Sequence, residues 1–581
     1  MKDTGRYYEE ELSYLVEAGR EYARLHPDRA RYLSLADARS RDPHVERLIE
    51  SFAFLSGAVR QKIEDEFPEL THALLDLVWP HFLRPVPPVA LLQFAPIPGM
   101  VREPQVVPRG FLVESKATSV GVPCRFSTAY DVDIYPIRLA DAGMVTDAAG
   151  QRLLRFRFDL DDGAEAGMIA INTLRVCLTG QPAVAFRNYR MLRTQVDSVV
   201  VRFARDNSRV LAAGCVRPVG FAPGEELLPA TAVGFPGYRL LSEYFAFAEK
   251  FLFVDIVGVG ALDLPKNGRS FEIEIRFRQR PPDAFRPATE DFALYVTPIV
   301  NVFSREGEPI LVDQLKRSYR VLGEYTHPEA FEVMSVDSVE GLHRDGGARE
   351  RHEAFFSFAH SPGDESDGGT YYHVTDRVGP GGGWQTFLSL ISPVRGCLPG
   401  AETLSLRLTC MNGRLCQEVG AEAIRIAAEE RLDFATFRNI TRPTDAIYPK
   451  LGDGTQWSFV SHMALNVLSI ADAAALRTIL SLYDAGESPA NRRRIDSVKT
   501  LKARPRDILA RGTPIRGTEL TLTLDEGHFD DDGELLLFSE VLAQFFSLYA
   551  PMNSFTELIV VRDPSGEVLR CPPATGKQSL L

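Results

Sequence analysis

The sequence predicts a multidomain α+β fold: an N-terminal helical segment, β-rich central domains with antiparallel sheets, and a mixed α/β C-terminal domain. The chain has 581 residues, which is too long for a single hydrophobic core. Apolar residues recur with a helical period in the first part, with a period of two in the middle, and with both periods at the end. We therefore divide the chain into residues 1–85, 86–425 and 426–581.

Two amphipathic helices are predicted near the N-terminus. In the first, the residues spaced by four and three positions are Tyr8, Leu12, Leu15, Gly19 and Tyr22. The second has a defined start, because Asp42 can act as its N-cap and Pro43 suits the first helical position. It is expected to end near Glu66, since Pro68 disfavours helical geometry at the preceding residue. Its apolar stripe consists of Val45, Leu48, Phe52, Leu55, Val59 and Ile63.

A third, short helix is predicted between Pro68 and Pro80, and the prolines at 85–88 favour an extended exit. An apolar stripe on a helix usually packs into a local core. Here Phe54 lies off the main stripe of its helix, and the helices carry more aromatic residues than a short helical unit can bury. We therefore predict that they contact another chain. The candidate assembly surface consists of Tyr8, Leu12, Leu15, Phe52, Phe54, Leu55, Val59, Phe67, Trp79 and Phe82.

Half-buried antiparallel strands are predicted in the central part. Apolar and polar residues alternate strictly in segments such as LRFRFDL and FEIEIRFRQ, and Gly- and Pro-rich segments separate these runs. After about residue 430 the pattern becomes mixed. Helices are predicted within 457–483 and 534–550, and strands at 516–524 and 555–563.

Charge and targeting features exclude several classes of function. The 65 Lys and Arg residues against 78 Asp and Glu residues give a net charge of −13 without long runs of like charge, so a nucleic-acid partner is not expected. The N-terminus lacks an apolar signal segment, and the longest charge-free apolar stretch is shorter than the roughly 20 residues that span a membrane. We therefore expect no direct membrane insertion. The seven scattered cysteines form no CxxC pair, which favours reduced thiols in the cytoplasm.

No catalytic, cofactor or metal site is predicted, because each motif that resembles one lacks an essential residue. In HEAFF, Phe356 stands where a zinc motif needs its second histidine, so we expect His352 to be a surface or hydrogen-bonded residue. In VDIVGVGALD, Asp263 replaces the third glycine of a dinucleotide-binding turn. FDDDGE does not place oxygen ligands at both ends of a calcium loop, so an acidic turn is expected.

Several stretches together resemble one known family. The longest lies within 42–94 and includes DPHVERLIESFAFLSGAVRQKIEDEFPEL; the others are YYEEELSYL, GYRLLSEYFAFAEKFLFVDI, TPIVNVFSREGEPI, SHMALNVLSI and VLAQFFSLYAPMNSF. Over almost its whole length the chain is thereby similar to the TssF (VasA/ImpG) family, a baseplate subunit of the bacterial type VI secretion system. The stretch CMNGRLC departs from the family pattern: Asn412 matches it, whereas Gly413 and the two cysteines do not.

The resemblance implies an architectural, non-enzymatic role without a cofactor. Proteins of this family combine with TssG and a second copy of TssF into a wedge that also holds TssE and TssK. Such wedges surround the spike hub, which contains VgrG, and form the platform for the sheath and tube. The family is similar to phage baseplate wedge proteins in fold. The resemblance implies a cytoplasmic location, docked through the baseplate at the inner face of the inner membrane.

Two other interpretations stay open from the residues alone. Alternating strands that carry Phe and Trp, together with many acidic residues, also suit a β-rich carbohydrate-active hydrolase or binding module behind a helical domain. A prophage contractile-tail baseplate wedge protein would have the same physical features. Gene neighbourhood separates the three, since sheath and spike genes, sugar-uptake genes or capsid genes would each favour one of them.

Overall fold

Antiparallel β-sheets with a few packed helices make up most of the fold, in agreement with the predicted multidomain α+β class. The chain divides into two compact units: Met1–Leu75 with Lys450–Met463, and Asp76–Pro449 with Ala464–Leu581. The computed structural model describes residues 8, 12–15, 43–64, 75, 82–164, 169–204, 207–228, 236–265, 268–313, 316–343, 349–355, 370–379, 383–391, 402–449, 472–510 and 513–576.

Helix α1 (Pro43–Glu64) is the longest described element of the first unit. All of these residues lie within the predicted helix, which starts at Pro43, and its predicted end near Glu66 lies outside the described residues. Residues 8 and 12–15 are helical, as the spacing of their apolar residues predicts. Most of the third predicted helix lies outside the described residues.

A six-stranded sheet begins the second unit. In spatial order its strands are β24 (Ile424–Ala427), β3 (Leu112–Ala117), β4 (Pro123–Thr128), β15 (Val296–Val300), β1 (Val89–Pro96) and β25 (Ala435–Asn439). Asn439 links the two edge strands, because its side-chain oxygen accepts a hydrogen bond from the amide of Ile424 and its backbone oxygen accepts one from Glu422. The hydroxyls of Thr441 and Thr444 accept hydrogen bonds from the β1 backbone. The edges of this sheet are therefore brought together.

A five-stranded and a four-stranded sheet follow. The five strands are β10 (Asn207–Ala212), β9 (Val196–Ala204), β13 (Ser270–Phe277), β7 (Arg152–Leu160) and β6 (Ile137–Thr146). The four strands are β11 (Val216–Pro218), β12 (Phe253–Ala261), β8 (Ala170–Leu178) and β14 (Phe292–Leu294), and β2 (Gln105–Val107) pairs separately with β5 (Val132–Ile134). The predicted alternation is confirmed, since Phe156 and Phe158 of β7 are buried and lie opposite Ile273 and Phe271 of β13.

The largest sheet has eight strands. They are β16 (Phe303–Glu306), β23 (Glu402–Met411), β19 (Glu332–His343), β20 (Arg349–Ala354), β21 (Tyr371–Val378), β22 (Trp384–Ile391), β18 (Tyr319–Val321) and β17 (Ile310–Val312), the last paired with β23. Its core contains Val339, Leu388, Leu404 and Leu408, all fully buried. The β20–β21 pair is parallel and only two residue pairs long, unlike the antiparallel pairing predicted for the central domains.

The described residues of the C-terminal part include a five-stranded sheet and three helices. The strands are β26 (Val498–Ala510), β27 (Thr513–Asp525), β28 (Phe555–Asp563), β29 (Val568–Arg570) and β30 (Ala574–Thr575), and the helices are α4 (Ala473–Tyr483), α5 (Pro489–Asp496) and α6 (Asp532–Leu548). Helix α6 crosses between β27 and β28, which pair in parallel. The helix predicted within 534–550 and both predicted strands are thus confirmed. Of the helix predicted within 457–483, the part 457–471 lies outside the described residues.

Two features of the second unit differ from the sequence pattern. Helices α2 (Pro182–Thr194) and α3 (Pro236–Ala246) interrupt the strands of the central part, and the period of two did not predict them. Both contact α6, which lies far along the chain. In addition, β25 follows the predicted boundary at residue 425 but pairs with β1. The limits of the three predicted domains stay a prediction.

Candidate assembly surface

One face of α1 exposes large apolar side chains. Leu48, Phe52 and Leu55 are spaced by four and three positions, so they project from one side of the helix. Their exposed fractions are 72%, 59% and 63%, whereas Ala53, on another side, is fully buried. The side of α1 that carries Leu48, Phe52 and Leu55 is therefore exposed, whereas the side of Ala53 is buried.

A second side of α1 also exposes an aromatic residue. Phe54 follows Phe52 by two positions and so points to a nearly opposite side of the helix. Its side chain is 58% exposed. The helix thus presents aromatic rings to solvent in two directions, as the sequence indicated for a helix apolar on more than one side.

The remaining residues of the predicted surface have different positions. Tyr8, Leu12 and Leu15 are half-buried on the first helix, and Phe82 is half-buried just before the first strand. Val59 belongs to α1, but its side chain lies outside the described residues, as do Phe67 and Trp79 entirely. The role of these residues in assembly stays a prediction.

Two exposed apolar residues in the described part of the first unit were not included in the predicted surface. Leu48 is 72% exposed, and its place in the α1 stripe was a sufficient signal. Tyr14 is 67% exposed and lies between Leu12 and Leu15 on the first helix. It lies off the apolar stripe of that helix, so the spacing alone gave no reason to select it.

A buried ion pair orders the stretch GYRLLSEYFAFAEKF, which carries part of the family resemblance. Glu243 of α3 and Lys250 are 2% and 1% exposed. Lys250 Nζ donates hydrogen bonds to Glu243 Oε2 and, at 3.1 Å, to the carbonyl oxygen of Glu225. Glu243 Oε1 accepts hydrogen bonds from the amides of Leu227 and Leu228, each at 3.0 Å. The pair therefore fixes a loop to α3.

A cavity of about 340 Å³ lies among β5, β8 and β12. Arg175 occupies its wall and donates to Asp255 at 2.8 Å and to Glu225 at 2.9 Å, with its guanidinium 5.3 Å from the ring of Tyr130. Burial raises the pKa of Asp133 at the same wall. Because the cation of Arg175 is already paired with two carboxylates, we assign this cavity no catalytic role.

The sequence motifs that resembled chemical sites have structural roles. His352 is buried, and its Nε2 lies 3.0 Å from Glu402 Oε2, which confirms a hydrogen-bonded histidine. Asp531 of the acidic turn caps α6 by accepting a hydrogen bond from the amide of Gly533 at 2.8 Å. Cys410 and Cys416 are buried free thiols. Among the described residues, no cluster of three or more His, Cys, Asp or Glu residues is arranged to hold a metal ion.

A helix that crosses a bilayer must be both long and apolar. None of the described helices, α1 included, meets both conditions.

These features define the class of the protein. A chain that combines large β-sheets in one unit with an amphipathic helix that exposes apolar side chains in another is typical of a subunit that assembles with other chains. The chain belongs to the type VI secretion system TssF family, whose family model matches residues 1–578. It is also 29% identical, over 623 aligned positions, to the type VI secretion system component TssF1 of Pseudomonas aeruginosa, with 98% of each chain covered.

Two solved structures have the same fold. One is a chain of a TssK-TssF-TssG baseplate subcomplex of the type VI secretion system, determined by cryo-electron microscopy, with a TM-score of 0.77 and 29% identity over 92% of this chain and 99% of that chain. The other belongs to the baseplate complex of the type VI secretion system, with a TM-score of 0.64 and 26% identity over 99% and 100%. The family assignment favours the baseplate interpretation over the carbohydrate-active alternative.

Proposed function

We propose that this chain is a structural, non-enzymatic wedge subunit of a type VI secretion baseplate. The observation that carries the proposal is the match of nearly the whole chain to a chain of the TssK-TssF-TssG subcomplex. The match includes both the N-terminal part and the β-rich framework, so it is not limited to one common domain. TssG and TssK are accordingly the first partners that we propose.

Further partners belong to the same proposal. We include TssE, a second TssF copy and the spike hub protein VgrG, with only indirect contact to the sheath and tube. The proposal also includes docking of the whole baseplate at the cytoplasmic face of the inner membrane. The net charge of −13 supports partners other than nucleic acid.

The exposed stripe of α1 supports contact with an apolar helix of a partner. The apolar residues at 45, 48, 52, 55 and 59 alternate spacings of three and four, which is the pattern of a helix–helix seam. Fully burying one Leu or Phe side chain stabilises a complex by about 1.5–3 kcal/mol. Covering Leu48, Phe52 and Leu55 together would thus contribute several kcal/mol.

Co-expression with TssG- and TssK-like proteins tests the proposal. We expect the wild-type chain to co-purify with both, and the double variant Phe52→Asp with Leu55→Asp to lose them, because an unpaired carboxylate in a desolvated seam is strongly unfavourable. Arg47→Asp is the matched control, since it introduces the same side chain at an exposed polar position of α1.

Circular dichroism establishes that each variant is folded. Retention of both partners by the folded double variant would contradict the role of this stripe, and failure of the wild-type chain to bind either partner would contradict the proposed function.

A further inference from the structure

His352 of β20 lies between two hydrogen-bond acceptors. Its Nε2 is 3.0 Å from Glu402 Oε2, and its Nδ1 is 3.1 Å from the backbone oxygen of Thr370. His352 and Glu402 are each only 2% exposed. Water therefore has little access to the imidazole of His352 or to the carboxylate of Glu402.

The two acceptors determine how many protons the site holds. A neutral imidazole has one N–H group and can donate to only one acceptor. A backbone carbonyl always accepts, so the Nδ1 proton is directed to Thr370. A second proton is then required between Nε2 and the carboxylate of Glu402, because otherwise a lone pair faces a buried anion.

The bridge connects three strands of the eight-stranded sheet. Glu402 opens β23, His352 belongs to β20, and Thr370 immediately precedes β21. Among the described residues, β20 and β21 pair at Glu353 with Tyr371 and at Ala354 with Tyr372 only. The polar bridge thus reinforces the shortest strand pairing along this sheet.

The neighbouring charges favour the protonated form. Burial by itself lowers the pKa of His352, but the hydrogen bond and negative charge of Glu402, with the charge of Glu350, outweigh it and raise the pKa above 6.5. The adjacent arginines of β20 face other carboxylates: Arg349 is 3.8 Å from Glu340, and Arg351 is 3.7 Å from Glu353. From β19, Gly341, which carries no charge, lies against the side chains of His352 and Glu402.

We infer that the His352–Glu402–Thr370 bridge is a pH-sensitive clamp that holds the β21–β22 hairpin to the β19–β23 part of the sheet. The clamp is closed while the shared proton is bound and loosens when that proton is lost. Because the folded-state pKa of His352 is raised, the added stability is fully present below the unfolded value of about 6.5 and is lost as the pH rises through the folded-state value. This inference does not depend on the proposed baseplate function.

Hydrogen-exchange mass spectrometry of the full chain between pH 5.5 and 9 tests the clamp. After correction for intrinsic exchange, we expect peptides covering β21 and β22 to exchange about tenfold faster at the high end of this range, since one charge-assisted hydrogen bond is lost. Peptides covering β7, in another sheet, serve as the internal control. Unchanged protection of β21 and β22 across this range would overturn the inference.

The variant Glu402→Gln distinguishes a proton-dependent clamp from a contact whose strength does not depend on pH. The side-chain amide that this substitution introduces can donate to Nε2 of a neutral imidazole, while Nδ1 still donates to Thr370. We therefore expect the β21–β22 protection of this variant to be independent of pH and to stay high at pH 9. A pH dependence equal to that of the wild-type chain would overturn the inference.

Titration of isotope-labelled histidines measures the pKa of His352 in the wild-type chain itself, so the result does not depend on the effects of a substitution. The chain has 11 histidines, and the His352 signal is the one missing from His352→Gln. We expect its midpoint to lie above 6.5. A midpoint at or below 6.5 would overturn the clamp whatever the behaviour of Glu402→Gln.

Discussion

Asn301 and Asn412 hydrogen-bond to each other in both directions. Asn301 Nδ2 donates to Asn412 Oδ1 at 3.0 Å, and the backbone amide of Asn412 donates to Asn301 Oδ1 at 2.6 Å. Both residues are fully buried. Asn301 follows β15 of the six-stranded sheet and Asn412 follows β23 of the eight-stranded sheet, so this pair joins the two sheets.

Replacing Asn412 by Ala is expected to destabilise the protein by about 2–4 kcal/mol, because several buried partners lose their hydrogen bonds at once. Besides Asn301, the Asn412 side chain accepts from the amide of Arg125 at 2.9 Å and donates to the carbonyl of Ala330 at 2.8 Å. Urea unfolding followed by fluorescence measures the change in midpoint. The matched control Asn207→Ala removes one exposed hydrogen bond, from Asn207 at the start of β10 to the backbone oxygen of Asp263, and should change the midpoint far less. Equal shifts for the two variants would contradict the prediction.

The sequence could single out Asn412 and Asn301 but not their contact. Asn412 lies in CMNGRLC and Asn301 in TPIVNVFSREGEPI, both compared with the family pattern, but the two residues are 111 positions apart and belong to no periodic pattern. Apolar periodicity reports which side of a strand is buried, and it does so correctly for β7 and β13. It carries no information on buried polar side chains that meet across sheets, since these depend on the register of distant segments.

A related physical reason explains why the sequence pattern did not predict helices α2 and α3. Their start signals were present, because both α2 and α3 begin with a proline. Helix α2 is short and follows directly after a strand of alternating residues, so the helical spacing covers few turns. Its fully buried Tyr189 hydrogen-bonds to Glu540 of α6, a contact between residues 351 positions apart. Tertiary packing, rather than local spacing, therefore stabilises this helix.

The candidate assembly surface shows the same limit of prediction from apolar periodicity. The α1 stripe could be predicted because it is regular, and the described residues Pro43–Glu64 are helical as that pattern indicates. Which side of the helix is buried could not be predicted, since all apolar positions contribute equally to a periodic pattern. Only the structure separates buried Ala53 from exposed Phe52.

Replacing Lys250 by Met is expected to destabilise the protein by about 3–5 kcal/mol, because the carboxylate of Glu243 is left buried without its cation. The double variant Lys250→Met with Glu243→Gln should recover most of this loss, since the Gln oxygen can still accept from the amides of Leu227 and Leu228. Thermal unfolding of the single and double variants measures the difference. Lys499→Met is the control, as Lys499 forms its ion pairs at the surface. A double variant that is less stable than Lys250→Met would contradict this account.

Replacing Gly341 by Ala is expected to break the bridge between His352 and Glu402. An added Cβ at Gly341 would lie 1.9 Å from Glu402 Oε2 and 2.5 Å from His352 Nε2, so both side chains must move. Overpacking of this kind costs about 1–3 kcal/mol, to which the lost buried hydrogen bond adds. Below pH 6.5 we therefore expect Gly341→Ala to be clearly less stable than the wild-type chain in urea unfolding.

The pH dependence distinguishes this effect from a general packing defect. The wild-type chain loses the contribution of the bridge as the pH rises through the raised pKa of His352, whereas Gly341→Ala has already lost it. The difference in unfolding midpoint between the two should therefore shrink with rising pH. Gly214→Ala is the matched control, because a Cβ there meets no atom within 4 Å and should leave the midpoint nearly unchanged at every pH. A difference between Gly341→Ala and the wild-type chain that stays constant from pH 5.5 to 9 would show that Gly341 provides space for packing but not for a proton-dependent bridge.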